Sequence, residues 1–262
     1  MAYNEIAYSV TGAIARIDHN RPENRNAESS TLLDELAAAL DEASRDEAVR
    51  VIIIGGTGPH FSAGHDLKEG QLKRAHFTVE QRYAYEELRY LDYSLRIWDC
   101  PKPTIASVRG AAIAGGFMVA NMCDLIVASD TAFFADPVCR TLGAAAVEVL
   151  VHPWVMGLRT AKDFLFTGRR MYAEEAHRIG MVNRVVADAE LDAATMALAE
   201  EIAAAPPFAI KMTKRSLNRS FDIQGFRNAL MAHFDTHQLS HVSQEFLAVR
   251  DRGLASAIKA GR

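Results

Sequence analysis

Apolar positions recur with two different periods along this chain, and the change of period divides it. Residues 5–10 and 13–18 are rich in β-branched and aromatic side chains around Thr11-Gly12, which predicts two strands joined by a tight turn. The spacing then lengthens: Leu32, Leu33, Leu36, Leu40 and Ala43 repeat at helical intervals, and Thr31 with Asp34 has capping-box spacing. The compact run VIII at residues 51–54, closed by Gly55-Gly56, predicts a strand buried on both faces. A loop, TGPHFSAGHDLKEG, follows it, and an amphipathic segment over 79–98 predicts a long helix that Pro101 and Pro103 terminate. Strands are expected at 104–108, 125–128 and 132–135. Beyond them the pattern is helical at 159–166, 173–179, 191–205, 208–217 and 223–249, with one strand near 182–186.

A β-rich half running into an α-rich half, with no long linker, predicts one α/β core over 1–205 and a C-terminal helical region over 206–262, hinged at Pro206-Pro207. Composition fits one large soluble domain with an appendage: 262 residues, 49% apolar and 24% charged. The net charge of −4 comes from 29 basic and 33 acidic residues that are well mixed, so no basic block points to nucleic acid or an anionic membrane. Cys100, Cys123 and Cys139 lack CxxC spacing and predict no disulfide framework, which suits a reducing, cytoplasmic setting. The opening MAYNEIAYSV has no basic-then-apolar secretory pattern, and no stretch approaches the ~20 apolar residues of a spanning helix.

The candidate chemistry lies in two glycine-bearing loops. In RGAAIAGGFMVANMCD, residues 109–124, a strand should end near Arg109 and Gly115-Gly116 should open a helix. Glycine lets a ligand atom approach the main chain, and the first N–H groups of a helix lack internal partners, so this turn suits an oxygen bearing negative charge. Close helix–strand packing would explain the same glycines. The earlier loop, HFSAGHDLKEG, follows the buried VIII strand, and two such loops can each present one N–H to a shared point.

At these residues the chain resembles the crotonase (enoyl-CoA hydratase/isomerase) family. FSAGHDLKE is similar to that family's F-x-A-G-x-D-L-K-E loop, and RGAAIAGGFMVANMCDLIVAS to its glycine-rich stretch ending in C-D. NRPENRNA at 20–27 and LFTGRRMYAEEAHRIGMVNRVV further on also match, in order, so the resemblance covers nearly the whole chain. It implies a spiral of ββα units with a C-terminal helical trimerisation region, assembled as a homotrimer or a dimer of trimers. It implies an acyl-CoA substrate, with CoA as part of that substrate and no separate cofactor. The N–H groups of His65 and Gly115 would form an oxyanion hole for the thioester carbonyl, next to Gly116. CoA would lie along Ala63, Gly64, Asp66, Leu67 and Lys68, with Arg25 toward its phosphates. Asp66 would otherwise brace the loop, and Arg25 would otherwise be a solvated loop cation.

The chain departs from the family where hydratases carry two glutamates: those positions read Met118 and, after Pro137, Val138. Neither side chain can move a proton, so ordinary hydration is in doubt while the carbonyl-polarising half survives. Asp136, Glu148 in the apolar stretch AAAVEVLVHPW, and the His65 imidazole are the candidate replacements. Glu148 is otherwise a half-exposed helix carboxylate, His65 otherwise a rim histidine, and His152 could share a helix face with Glu148. His233, His237 and His241 fall on one helical face, which is assigned to a subunit interface and not to a metal. Tyr83, Tyr85, Tyr90, Tyr93 and Trp98 are core or interface residues, some of which would wall a pocket for a bulky or cyclic acyl group. Three functions stay open: an acyl-CoA enzyme of thioester-enolate chemistry (double-bond isomerisation, or hydrolytic C–C cleavage of a β-keto or cyclic substrate), a CoA-thioester binder with little turnover, and a structural protein on the same scaffold.

Overall fold

The computed structural model describes residues 3–256. Among the described residues nine strands form two sheets: β1 (Ile6–Thr11), β2 (Ile14–His19), β3 (Val51–Gly56), β4 (Thr104–Val108), β5 (Ala111–Ile113), β6 (Leu125–Ser129), β7 (Phe133–Ala135), β8 (Met171–Tyr172) and β9 (Arg184–Val186). The larger sheet has the order β1-β2-β3-β4-β6-β9 and the smaller β5-β7-β8. Only β1–β2 is antiparallel in the large sheet; every other neighbour in it runs parallel. The helices are α1 (Ser30–Arg45), α2 (Leu67–Arg74), α3 (Val79–Glu86), α4 (Asp92–Asp99), α5 (Gly115–Met122), α6 (Val138–Thr141) and α7 (His152–Met156). After them come α8 (Leu158–Thr167), α9 (Ala173–Arg178), α10 (Leu191–Ala203), α11 (Pro207–Ile223), α12 (Phe226–Ser240) and α13 (Gln244–Arg252). No helix among the described residues is long and apolar enough to cross a membrane.

β3 shows why the sheet holds. Its four aliphatic side chains are fully buried but alternate between two cores. Ile52 and Ile54 join the main core with Leu32, Leu36 and Leu40 of α1, whereas Val51 and Ile53 meet Leu191, Leu198 and Ala199 of α10. Each such side chain contributes about 1.5–3 kcal/mol by leaving water. The C-terminal helices share the main core too, through Phe226, Leu230, Phe234 and Phe246.

Several boundaries moved for local reasons. α1 starts before Thr31, because Ser29 is its N-cap and accepts from the Leu32 amide, so the Thr31–Asp34 capping box does not form. Replacing Ser29 with Ala is expected to cost about 1 kcal/mol, read from a urea melt. The helix expected over 79–98 is α3 and α4 joined by a π turn at Glu87–Leu91, and part of the expected loop is α2, capped by Asp66. The expected 223–249 helix is broken twice. Gly225, at φ 103°, separates α11 from α12, and Ser243 caps a new start at α13 by accepting from Phe246 N–H.

Candidate active site

Because β2, β3 and β4 are parallel neighbours, the loops that leave them emerge at one edge of the sheet. Main-chain hydrogen bonds stitch the three loops together. Phe61 and Ser62 amides donate to Arg109 and Ala111 carbonyls at 2.8 and 3.0 Å, and the Ile113 amide donates back to Ser62 at 2.9 Å. On the other side the Glu28 amide donates to Gly64, the Asp66 amide to Glu28 and the Ala63 amide to Arg25, all at 2.9–3.0 Å. Two short bridges, Ser62 with Ala112 and Glu28 with His65, record the same seams.

Stitching on this scale leaves no room for side chains at two glycines. A Cβ on Gly64, which sits at φ +82°, would lie 2.6 Å from the Ile113 carbonyl and 3.1 Å from the Gly115 nitrogen. A Cβ on Gly115 would run into the Glu28 carboxylate and approach His65 Cε1 to 2.6 Å. Ala114, just before α5, is held at φ 49° and ψ −108°, a costly conformation for a residue with a Cβ. Its own amide is tied to the Ala135 carbonyl at 2.9 Å, which fixes how α5 starts. The main-chain N–H groups of His65 and Gly115 donate to nothing among the described residues. Gly115 adds the positive end of a helix.

The His65 side chain turns inward and is not a solvent-facing rim group. It stacks on Tyr90 at 3.7 Å between ring centroids, and Tyr90 comes from the π turn, which is what rotates it into the interior. His65 Nδ1 lies 3.0 Å from Glu28 and Nε2 lies 3.1 Å from Glu148. Two carboxylates on one imidazole outweigh the burial that disfavours its charge and push its pKa up to about 10. Glu148 is itself buried, yet it is held well below the ordinary carboxylate range against that burial by His65 and His237. Glu28 is fixed in turn by Ser62 Oγ at 2.9 Å.

Three expectations need correction. Glu148 is not on a helix and is not half-exposed, and His152 does not share a face with it; His152 opens α7 and points its Nε2 at Asp136, 3.3 Å away. Asp136 is completely buried, and its two oxygens accept the Val138 and Val147 amides, so it braces the chain around Pro137. His233 and His237 of α12 turn into their own subunit, where ring nitrogens meet the Val147 and Ala145 carbonyls at 2.8 and 2.9 Å. Those contacts fix the stretch that carries Glu148, and a face used this way is not free for another chain. Lys68 and Arg25 are exposed at the rim, while Met118 is in the main core. Asp66 caps α2 and pairs with Arg21 at 3.0 Å. The reading of the sequence missed Glu28, one residue beyond NRPENRNA, and Glu86, the last residue of α3. Nothing in their spacing marks them, since both reach the site across the fold.

Ligand-type atoms of Glu86, His237 and His241 lie within 4.8 Å of one another. Protein donors already hold the Glu86 oxygens: Gln238 Nε2 at 2.6 Å and Arg82 at 3.3 Å. A groove of about 400 Å³ lined by Arg50, Lys102 and Lys211 contains none of these residues.

The charge pattern fixes the expected pH dependence of stability. His65 and His237, raised to about 10 and about 9, contribute fully below about pH 6.5 and lose that contribution as pH climbs through the raised values. Glu148, lowered, contributes above about pH 4.5 and loses it as pH falls. His241, lowered to about 2, removes stability below about pH 6.5 and narrows the window. Thermal melts should therefore peak at mildly acidic to neutral pH and decline steadily from pH 7 to 10.

Comparison with known proteins agrees with this geometry. Residues 9–247 match the family model described as enoyl-CoA hydratase/isomerase. A crystal structure of a probable enoyl-CoA hydratase from Mycobacterium smegmatis is 51% identical, with a TM-score of 0.86 over 92% of this chain and 95% of that one. An enoyl-CoA hydratase/isomerase from Xanthobacter autotrophicus Py2 is 37% identical, with a TM-score of 0.93 over 99% and 98%. A 4-chlorobenzoyl coenzyme A dehalogenase of Arthrobacter is 35% identical over 78% of this chain and 74% of that protein. Stitched loops, a crotonase-like spiral and a match along nearly the full length lead to one assignment: the chain belongs to the enoyl-CoA hydratase/isomerase family.

Proposed function

We propose that this protein is an acyl-CoA enzyme working through a thioester enolate, with the carbonyl oxygen held between the His65 and Gly115 main-chain N–H groups. One observation carries the reading: two main-chain amides on stitched loops that donate to nothing among the described residues, with the His65 imidazole 3.1 Å from the Glu148 carboxylate. A donor aimed at a developing oxyanion is typically worth about 2.7–4 kcal/mol in the transition state. A thioester held by two such donors has an acidified α-hydrogen, which Glu148 takes as base, and His65 stabilises the charge that moves.

Met118 and Val138 occupy the positions where family hydratases carry glutamates, so a single acid–base group remains. One base can move a proton from the α-carbon to the γ-carbon, as double-bond isomerisation requires, more readily than it can activate water and protonate carbon as well. CoA would follow Ala63, Gly64, Leu67 and Lys68, with Arg25 and Lys68 toward its phosphates. Tyr90 and Tyr85 next to His65 suit a cyclic or aromatic acyl group, and the Arthrobacter relative is named for a chlorobenzoyl thioester. Assembly as a trimer or a dimer of trimers belongs to the same reading, supported by exposed Phe208, Leu217, Ile223 and Leu239 on α11 and α12.

The test is α-hydrogen exchange in D2O, followed by NMR over a panel of linear, cyclic and aromatic acyl-CoAs. Exchange is expected with at least one of them. Tight binding without exchange throughout would replace this reading with a passive CoA-thioester binder. Crotonyl-CoA hydration should be slow, and Met118→Glu should speed it while lowering the melting temperature, since a carboxylate placed in the apolar core is costly to bury. An unchanged hydration rate would mean that water has no path to that position.

A further inference from the structure

Behind Glu148 the buried charges continue. Glu148 Oε1 lies 3.3 Å from His237 Nε2, which lies 3.7 Å from Glu86 Oε2, which lies 3.8 Å from His241 Nδ1. Acid and imidazole alternate, and all four side chains are at least nine-tenths buried. Among the described residues His237 Nε2 and His241 Nδ1 have no hydrogen-bond partner, although each faces the Glu86 carboxylate. The other nitrogen of His237 is committed, because Nδ1 can only donate to the Ala145 carbonyl at 2.9 Å. Nε2 is therefore the one exchanging atom of that ring, and it faces carboxylates on two sides.

The row ends near the surface. His241 lines a pocket of about 100 Å³ with Phe77, Val79, Arg82, Val242 and Phe246. The groups facing Glu86 are Arg82 from α3, the Glu148 carboxylate, and His237, Gln238 and His241 from α12 and its end. Those facing His241 are Glu86, His237, the Arg82 guanidinium and the Phe246 ring. A purely structural cluster would need no alternation and no opening at its far end.

We propose that Glu86, His237 and His241 form a buried proton relay that connects Glu148, and through it the substrate, to the pocket beside Phe246. The inference rests on the enolate reading given above. When the α C–H bond breaks, its electron pair stays in the enolate and its proton goes to Glu148. His237 Nε2 gives its own proton to Glu86 and takes the one on Glu148, so charge moves one step along the row with no ring flip. Small side-chain rotations close the 3.7 and 3.8 Å gaps to hydrogen-bonding distance. Glu86 is where the proton rests, since burial and the nearby Glu148 charge raise its pKa. His241, kept neutral by burial and by the charge on His237, takes the proton at Nδ1 while its Nε2–H bond breaks and that proton goes to water in the pocket, so no charge is stored on the ring. Glu86, His237 and His241 are thus positioning and relay residues that do not touch substrate.

The measurement is deuterium gained by substrate per turnover in D2O, in wild type, Glu86→Gln and His241→Phe. Both variants keep shape and burial. The relay predicts at least a tenfold fall in deuterium per turnover with a change in turnover below threefold, because the proton is then returned to carbon and not lost to solvent. An unchanged ratio overturns the relay. A second readout does not depend on catalysis: solvent exchange of the His65 and His237 ring N–H protons by ¹⁵N NMR, with CoA occupying the site. Exchange slowed at least tenfold in Glu86→Gln supports the relay, and exchange at the wild-type rate refutes it. Wild-type protein that turns over no acyl-CoA sinks the enolate reading, and the ring-proton experiment still decides the relay.

Discussion

Glu148→Gln should reduce turnover by about 10²–10⁴-fold, the usual range for losing a positioned acid–base group, with acyl-CoA affinity little changed. The amide is the same size and keeps a hydrogen bond to one neighbouring ring, so packing survives. The charge does not survive. His65 would then have only Glu28 opposite it and His237 only Glu86, and both imidazoles should titrate lower than their raised values of about 10 and about 9. Two measurements separate this from general damage: a single-turnover rate with bound substrate, and the ring ¹⁵N shifts of both histidines against pH. A variant that turns over normally would remove Glu148 from the chemistry, leaving the enolate without an evident base.

Gly115→Ala is expected to have an effect nearly as large through a different cause. The added methyl group has to displace the Glu28 carboxylate and press on the His65 ring, so loop and helix separate and the convergence of amides that the proposed oxyanion hole requires is lost. Losing a single oxyanion donor typically costs about 10²–10³ in kcat, or about 2.7–4 kcal/mol. A proline at this position would add a ring to the same clash and remove the N–H, so alanine tests geometry with less disturbance. The readout is kcat for an exchange-competent acyl-CoA beside a thermal melt that certifies folding. Retained kcat in a folded variant would show that the main-chain pocket is not where the carbonyl is held.

Both predictions depend on how far apart in the chain the participants lie. Glu28, His65, Glu86, Gly115, Glu148 and His237 come from six segments, and none is within a turn of another in sequence. Local pattern reads an element well when its determinants are local. The VIII run gave β3 because four aliphatic residues in a row need two cores, and Gly115-Gly116 marked the start of α5 because a missing Cβ is a property of the residue itself. The α1 cap was misplaced by local reasoning because Ser29 and Thr31 offer the same hydroxyl, and the hydrogen bond to Leu32 selects Ser29.

The sequence by itself determined much of the strand and helix succession, the two glycine loops and the family they resemble. These are all fixed by residue type and short spacing. Only the tertiary structure decided that His65 is clamped between Glu28 and Glu148, that Asp136 is a brace, and that the α12 histidines face inward to the site. Long-range packing makes those pairs, and the chain carries no periodic signal for a contact between residues tens of positions apart.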